Sequence, residues 1–170
     1  MRPSHSLRSG KEVIFQTDTL EVRRTLHDGQ HQLHSRRPIK KGDVVCSFLA
    51  GQTLSEPTYL TVQTGKNEHI TLDPDCLQYL NHSCDPNVFL DTDEKKLVCL
   101  RDVGAGEELT FFYPSTEWEI AQPFVCLCGS SRCLKLIQGA SFLSSEVLRQ
   151  YALTKFIAQR LIEQENVVTP

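Results

Sequence analysis

A chain of 170 residues, 39% apolar and 23% charged with a net charge of −3, has the size of one globular domain that buries its own core. The mild acidity argues against a dedicated nucleic-acid binder, which usually shows a basic excess, and no apolar run approaches the ~18 residues of a membrane span. Met1 to Lys11 carries charge but no apolar stretch, so no secretory signal is visible, and the expected compartment is cytoplasmic or nuclear.

In chain order, Val13-Ile14-Phe15 and Leu20-Glu21-Val22 read as short strands, and His27-Asp28-Gly29-Gln30 as a turn centred on Asp-Gly. A second turn at Ile39 to Asp43 leads into a strand from Val44 to Ala50 that Gly51 is expected to end. Further strands fit Tyr59 to Val62 and Ile70 to Leu72. Pro74 to Leu80 suits one or two helical turns, with Asp73 as N-cap and Pro74 at N1. Val88-Phe89-Leu90 and Leu97 to Leu100 flank a polar segment as a hairpin, and Leu109 to Tyr113 reads as a strand stopped by Pro114. Many short strands with closely spaced turns predict a mainly β domain. Ser145 to Ile162 instead carries an imperfect amphipathic helical pattern, broken near Leu153-Thr154, which is expected to pack on the domain as support.

The seven cysteines divide by context. Cys46 and Cys99 lie in apolar strand-like runs and Cys76 precedes Leu77, so these three read as buried thiols acting as small hydrophobes. Cys126-Leu127-Cys128-Gly129-Ser130-Ser131-Arg132-Cys133 is different. Three thiolates so close together suit a metal, and a structural zinc needs a fourth ligand, for which Cys84 is the obvious supplier. The alternative is three exposed reactive thiols in a reducing compartment. Cys84 itself belongs to Asn81-His82-Ser83-Cys84-Asp85-Pro86-Asn87, a loop with more hydrogen-bonding and metal-binding groups than an ordinary turn requires.

Taken together, Asn81 to Asn87, Gly106-Glu107-Glu108-Leu109-Thr110-Phe111-Phe112-Tyr113 and Cys126 to Cys133 resemble the SET-domain protein-lysine methyltransferases with a cysteine-rich post-SET segment. The resemblance covers roughly Ile39 to Ile137. It implies a β-clip-like fold of several small sheets with a knot-like crossing. It divides the chain into a SET domain over 1–123 with a loose N-terminus, a zinc-bound post-SET segment over 124–140 and a C-terminal helical extension over 141–170. It also implies S-adenosylmethionine and structural zinc as cofactors. Tyr113 matches the catalytic tyrosine, while Asn81 and His82 match the pair that contacts S-adenosylmethionine. Cys84, Cys126, Cys128 and Cys133 match the zinc ligands, and Leu136 or Ile137 would help cover the adenine. Phe111 occupies a position where Phe tends to permit more than one methyl transfer.

The resemblance further implies a lysine-bearing protein as partner, histone tails being the family's best-known targets, with no direct nucleic-acid or membrane contact and a monomeric state. Phe111, Phe112, Leu109 and Tyr79 supply apolar walls for a channel in which a neutral lysine amine is favoured. His27, His31 and His34 have no matching second cluster and are not expected to bind metal. Glu107 and Glu108 point to opposite strand faces and are not expected to act as a carboxylate pair. The family's Gly-x-Gly cofactor segment falls on Gln30-His31-Gln32, which makes His31 and Gln32 cofactor-binding candidates. The same substitution supports an alternative, a non-catalytic zinc-stapled binding module with weakened cofactor binding.

Overall fold

The computed structural model describes residues 10–168, so the expected loose N-terminus lies almost wholly outside the described residues. Its strands, in order, are β1 (Lys11–Gln16), β2 (Leu20–Thr25), β3 (His31–Ser35), β4 (Val44–Ser47), β5 (Leu49–Leu54), β6 (Val62–Gly65), β7 (Glu68–Asp73), β8 (Asn81–His82), β9 (Val88–Asp91), β10 (Lys96–Cys99), β11 (Thr110–Phe111), β12 (Phe124–Val125) and β13 (Leu136–Ile137). They assemble into three three-stranded sheets, ordered β1-β2-β3, β4-β10-β9 and β5-β7-β6, and two two-stranded pairs, β8 with β11 and β12 with β13. The expected mainly β architecture of several small sheets is what the chain forms.

Alternation of buried and exposed positions explains the inner strands. In β7, His69, Ile70 and Leu72 are buried while Glu68 and Asp73 are exposed; in β10, Leu97 and Cys99 point inward. Leu33, Val22, Leu90, Leu97 and Leu109 are fully enclosed and form the main core with Phe111 and Leu77. A second cluster gathers Phe112, Leu148, Ile157 and Leu161, and a third surrounds Cys84, Cys126 and Ile137.

Several expected boundaries move, each for a local reason. The strand expected from Val44 to Ala50 is two strands in different sheets, because buried Phe48 interrupts it between β4 and β5. Gly51 does not end β5 but lies within it. A Cβ there would meet Thr71 Oγ1 at 2.6 Å, so glycine serves close strand approach. Tyr59 and Leu60 form a turn, with the Thr58 amide donating to Thr61 Oγ1 at 2.9 Å, and pairing begins only at Val62. Pro74 to Leu80 yields one 3₁₀ turn, Asp75–Tyr79; Pro74, not Asp73, holds the cap position, and no side chain caps it. The strand expected over Leu109 to Tyr113 pairs only at Thr110–Phe111, after which Tyr113–Ser115 winds into a 3₁₀ turn containing Pro114.

The C-terminal pattern becomes two helices, α1 (Ser145–Leu148) and α2 (Lys155–Val168). Ser144 caps the first by accepting from the Val147 amide. Thr154 sits at the break: its amide and hydroxyl both donate to the Ser115 carbonyl at 3.1 Å, while Oγ1 accepts from the Ile157 amide. The helix is thereby tied to the segment just after Tyr113. Burial of Leu148 and Ile157, both with no exposed surface, contributes on the order of 1.5–3 kcal/mol each.

Candidate active site

The site is organised by the parallel pairing of β8 with β11, in which Asn81 faces Thr110 and His82 faces Phe111. The pairing extends beyond the strands: the Ser83 amide donates to the Phe111 carbonyl at 3.0 Å and the Asn87 amide to that of Thr110 at 3.1 Å. Buried Asn87 completes the junction. Its Nδ2 donates to the Glu108 carbonyl at 2.7 Å and to Glu107 Oε1 at 3.2 Å, and its Oδ1 accepts from the Thr110 amide at 2.8 Å. Loop and strand therefore hold each other in one register.

Asn81 Nδ2 donates to the His31 carbonyl and to Glu108 Oε1, both at 2.9 Å. This fixes the β3 edge against the loop. Glu107 turns away to Arg101, Gly104 and Asn87, so the two adjacent glutamates share no site. His34 is also spoken for: its Nδ1 lies 3.0 Å from the Gly106 carbonyl, and burial lowers its pKa. His27 is exposed beside Asp28.

His82 links two halves of the site. Its Nδ1 lies 3.2 Å from the Tyr113 amide, which has only a proton to give, so Nδ1 must accept. Burial pushes the imidazole pKa down to about 4, leaving a neutral ring whose remaining proton is on Nε2. That nitrogen lies 3.3 Å from Cys84 Sγ and donates to it. One imidazole thus holds the Tyr113 backbone on one side and a cysteine sulfur on the other.

The Tyr113 hydroxyl donates to the Leu80 carbonyl at 3.0 Å, leaving its oxygen lone pairs for an incoming donor. Burial, and then the charges of Glu117 and Glu108, push the phenol up to about 12, so it stays protonated at neutral pH. Two hollows meet at this ring. The larger, about 790 Å³, is lined on one side by Gln30, Gln32, Asn81, His82 and Glu108, and on the other by Ile120 to Phe124 and Leu127. The smaller, about 50 Å³, is walled by Phe111, Leu72, Leu77, Leu80 and Val62. Tyr59, Thr61, Tyr113 and Glu117 line both.

Behind the larger hollow, one sulfur from each of Cys84, Cys126, Cys128 and Cys133 lies within 4.8 Å of the others. The Cys84 and Cys126 sulfurs are 3.9 Å apart. A tetrahedral zinc with ~2.3 Å bonds places its sulfurs roughly 3.8 Å from one another, so the four thiols fit zinc closely. A disulfide, at ~2.05 Å, does not suit that separation. Cys84 sulfur also receives the Leu134 amide at 3.4 Å, support typical of a metal-held thiolate. Gly139 allows the chain leaving this cluster to pass the Trp118 carbonyl: a Cβ there would lie 2.4 Å from the oxygen, and its φ of 125° suits glycine.

The remaining candidates fall unevenly. Gln32 lines the larger hollow, but the His31 ring stacks on Tyr79 at 4.8 Å and only its backbone reaches Asn81. Tyr79 lines neither hollow; Tyr59 stands there instead. Phe112, expected as a channel wall, lines neither hollow. Strand alternation turns it from Phe111 into the second cluster, stacked 3.7 Å from Tyr151 beside a separate hollow. Leu136 and Ile137 do not line the larger hollow: Leu136 is exposed and Ile137 packs against the cysteines, while their β12 partner Phe124 is in the wall.

A family model described as SET domain matches residues 30–114. The chain belongs to the SET domain family. Among its relatives is a protein of Aspergillus flavus named methyltransferase flvH, 44% identical over 115 residues, which are 66% of this chain and 64% of flvH. A histone-lysine N-methyltransferase of Aspergillus fumigatus described as H3 lysine-4 specific is 40% identical over 63 residues, 33% of this chain and 5% of that protein. The chain therefore spans less than two thirds of either relative's length. The SET fold is also seen in a crystal structure of KRYPTONITE in complex with mCHH DNA, H3(1-15) peptide and SAH. That likeness has a TM-score of 0.53 and 22% identity, and covers 75% of this chain and 30% of that one.

Two features around the site escape the sequence patterns. Glu117 reaches both hollows from the segment after Tyr113. Tyr151 donates to the Cys84 carbonyl at 2.9 Å under the Arg132 guanidinium, so the helical extension braces the cysteine loop. An aromatic flanked by a helical pattern gave no hint of that partner.

Proposed function

We propose that this SET domain is an S-adenosylmethionine-dependent protein-lysine N-methyltransferase. The observation that carries the reading is the meeting at Tyr113 of a wide hollow and a narrow one walled by Val62, Leu72, Leu77, Leu80 and Phe111, lined together by Tyr59, Thr61 and Glu117. A bulky cofactor fits the first and an extended amine the second. The methyltransferase names of the relatives and the SAH in the KRYPTONITE structure support the same chemistry.

S-adenosylmethionine supplies a methyl group on a positively charged sulfur. Asn81, His82, Gln32 and the Gln30 side of β3 bind it, with Phe124 and Leu127 as the apolar cover. Phe111 and its neighbours admit a lysine side chain and exclude water, favouring its neutral amine. Tyr113 orients that amine through its oxygen lone pairs, so that alignment in place of proton transfer provides its share of the rate. Cys84, Cys126, Cys128 and Cys133 hold a structural zinc; a closed four-thiolate shell leaves no open position for catalysis. The protein acts as an intracellular monomer on a protein substrate, with histones as candidates. No helix among the described residues is long and apolar enough to cross a membrane.

Titration calorimetry with S-adenosylmethionine tests the reading, followed by transfer of labelled methyl groups into a cell lysate and identification of the labelled residue. Micromolar binding and methyl-lysine are expected. A folded, zinc-loaded protein that binds no cofactor would instead be a zinc-stapled binding module.

A further inference from the structure

Glu117 is 8% exposed and yet lines both hollows. Its Oε1 accepts from the Gln63 amide at 2.9 Å and from the Thr116 hydroxyl at 3.0 Å. Among the described residues, no hydrogen bond reaches Oε2 and no cation lies against the carboxylate. The titratable groups sharing its hollows are Tyr113, Tyr59, Glu108, His82, Cys126 and Cys128. None supplies a positive charge: phenols and thiols carry none in either form, Glu108 is another acid, held by Asn81, and His82 Nδ1 accepts from the Tyr113 amide and so carries no proton. A buried carboxylate with an uncommitted oxygen and no counter-ion is costly, and such groups persist where a ligand completes them.

We propose that Glu117 receives the ammonium of the substrate lysine and accepts its proton before methyl transfer. The inference rests on the methyltransferase reading and extends it. A lysine enters as its ammonium, since its free pKa is ~10.4. Glu117 Oε2 takes one N–H proton, giving a neutral amine and a carboxylic acid. The amine lone pair then forms the N–C bond to the methyl group while the C–S bond breaks, its electrons staying on sulfur. The product is a methylated ammonium and a neutral thioether, and Glu117 returns its proton to water through the larger hollow. Tyr113 cannot fill this role, because its proton already goes to Leu80. Glu108 lines only the larger hollow. Burial pushes the Glu117 carboxyl up to about 7, which suits a group that must hold and release a proton near neutrality.

The test measures methyl transfer from labelled S-adenosylmethionine to lysate proteins across pH 6 to 9.5, for the full chain and for Glu117→Gln. Calorimetry of cofactor binding and thermal melting accompany both. Glutamine retains the Oε1 acceptor. The expected result is cofactor affinity within a few-fold, transfer about a hundredfold slower at pH 7, and substantial recovery towards pH 9.5 where solvent deprotonates lysine. A merely structural Glu117 would lower transfer equally at all pH. Such a parallel profile, or an unchanged rate, overturns the role of Glu117 and leaves the methyltransferase reading standing. Wild-type protein that binds no cofactor, or binds it and methylates nothing, overturns that reading and this inference with it. Should the variant fail to fold, the wild-type profile decides: an acid limb near pH 7 that levels above pH 8 supports the proposal, and a log-linear rise continuing to pH 9.5 overturns it.

Discussion

The cysteine cluster and the hollow around Tyr113 lie back to back, yet they are built by opposite means. Three of the four thiols lie within eight residues and the fourth in a loop packed against them, so the cluster is set by closeness in sequence and by apolar packing around Ile137. The hollow has no such local determinant. Its walls come from β3, β8, the Tyr113 turn and the 120–124 segment, positioned by hydrogen bonds that Asn81 and Asn87 donate and that His82 accepts. A metal site fails all at once when a ligand is lost; a hollow assembled by many modest bonds degrades in steps.

The sharpest way to break the comparison is through the proposed zinc. Apparent zinc-binding free energies of structural thiolate sites run to roughly 10–16 kcal/mol. Cys126→Ser, or prolonged chelation, is expected to release zinc and to lose hydrogen-exchange protection over residues 124–140, with methyl transfer falling as the shared wall at Phe124 and Cys126 loosens. Elemental analysis and exchange mass spectrometry check both parts.

Tyr113→Phe attacks the other region and should leave the metal in place. Transfer is expected to fall by about 10²–10³-fold, roughly 3–4 kcal/mol of barrier, with cofactor affinity within a few-fold. A large loss of affinity would count against an orienting role.

Glu117 sets function against stability. Its folded pKa, about 7, lies above its ordinary value, so the folded state binds this proton more tightly than the unfolded chain does. The associated stability is fully present below the unfolded pKa near ~4.3 and is lost as pH rises through about 7. Glu117→Gln should therefore stabilise the protein above pH 8 by up to about 3 kcal/mol, and not at pH 4, in denaturant titrations. His82 runs the other way: its folded pKa of about 4 gives stability that is present above its unfolded pKa and lost as pH falls towards 4.

The smallest effect expected is at the brace between the two regions. Tyr151→Phe removes the bond to the Cys84 carbonyl but retains the stack on Phe112, and should cost about 1 kcal/mol. Zinc content should be unchanged, with faster exchange confined to the loop after Cys84.

The chain's local chemistry was legible where neighbours in sequence are also neighbours in space. The thiol spacing of Cys126 to Cys133, the hairpin of β9 and β10, and the turns marked by Asp-Gly and Lys-Gly belong to this class, as does the mainly β character. Tertiary structure decided what depends on direction and distance. Phe111 and Phe112 are chemically alike, but strand alternation puts one beside Tyr113 and the other under Tyr151. Tyr59 displaces Tyr79 because a turn, not a strand, begins at Thr58. Glu117 is one acidic residue among 21 Asp and Glu in the sequence, and only the packing of its segment between two hollows buries it without a counter-ion. Ligand spacing and period-two patterning are properties of a short stretch of chain; burial and the absence of a partner are properties of everything that surrounds a group once folded.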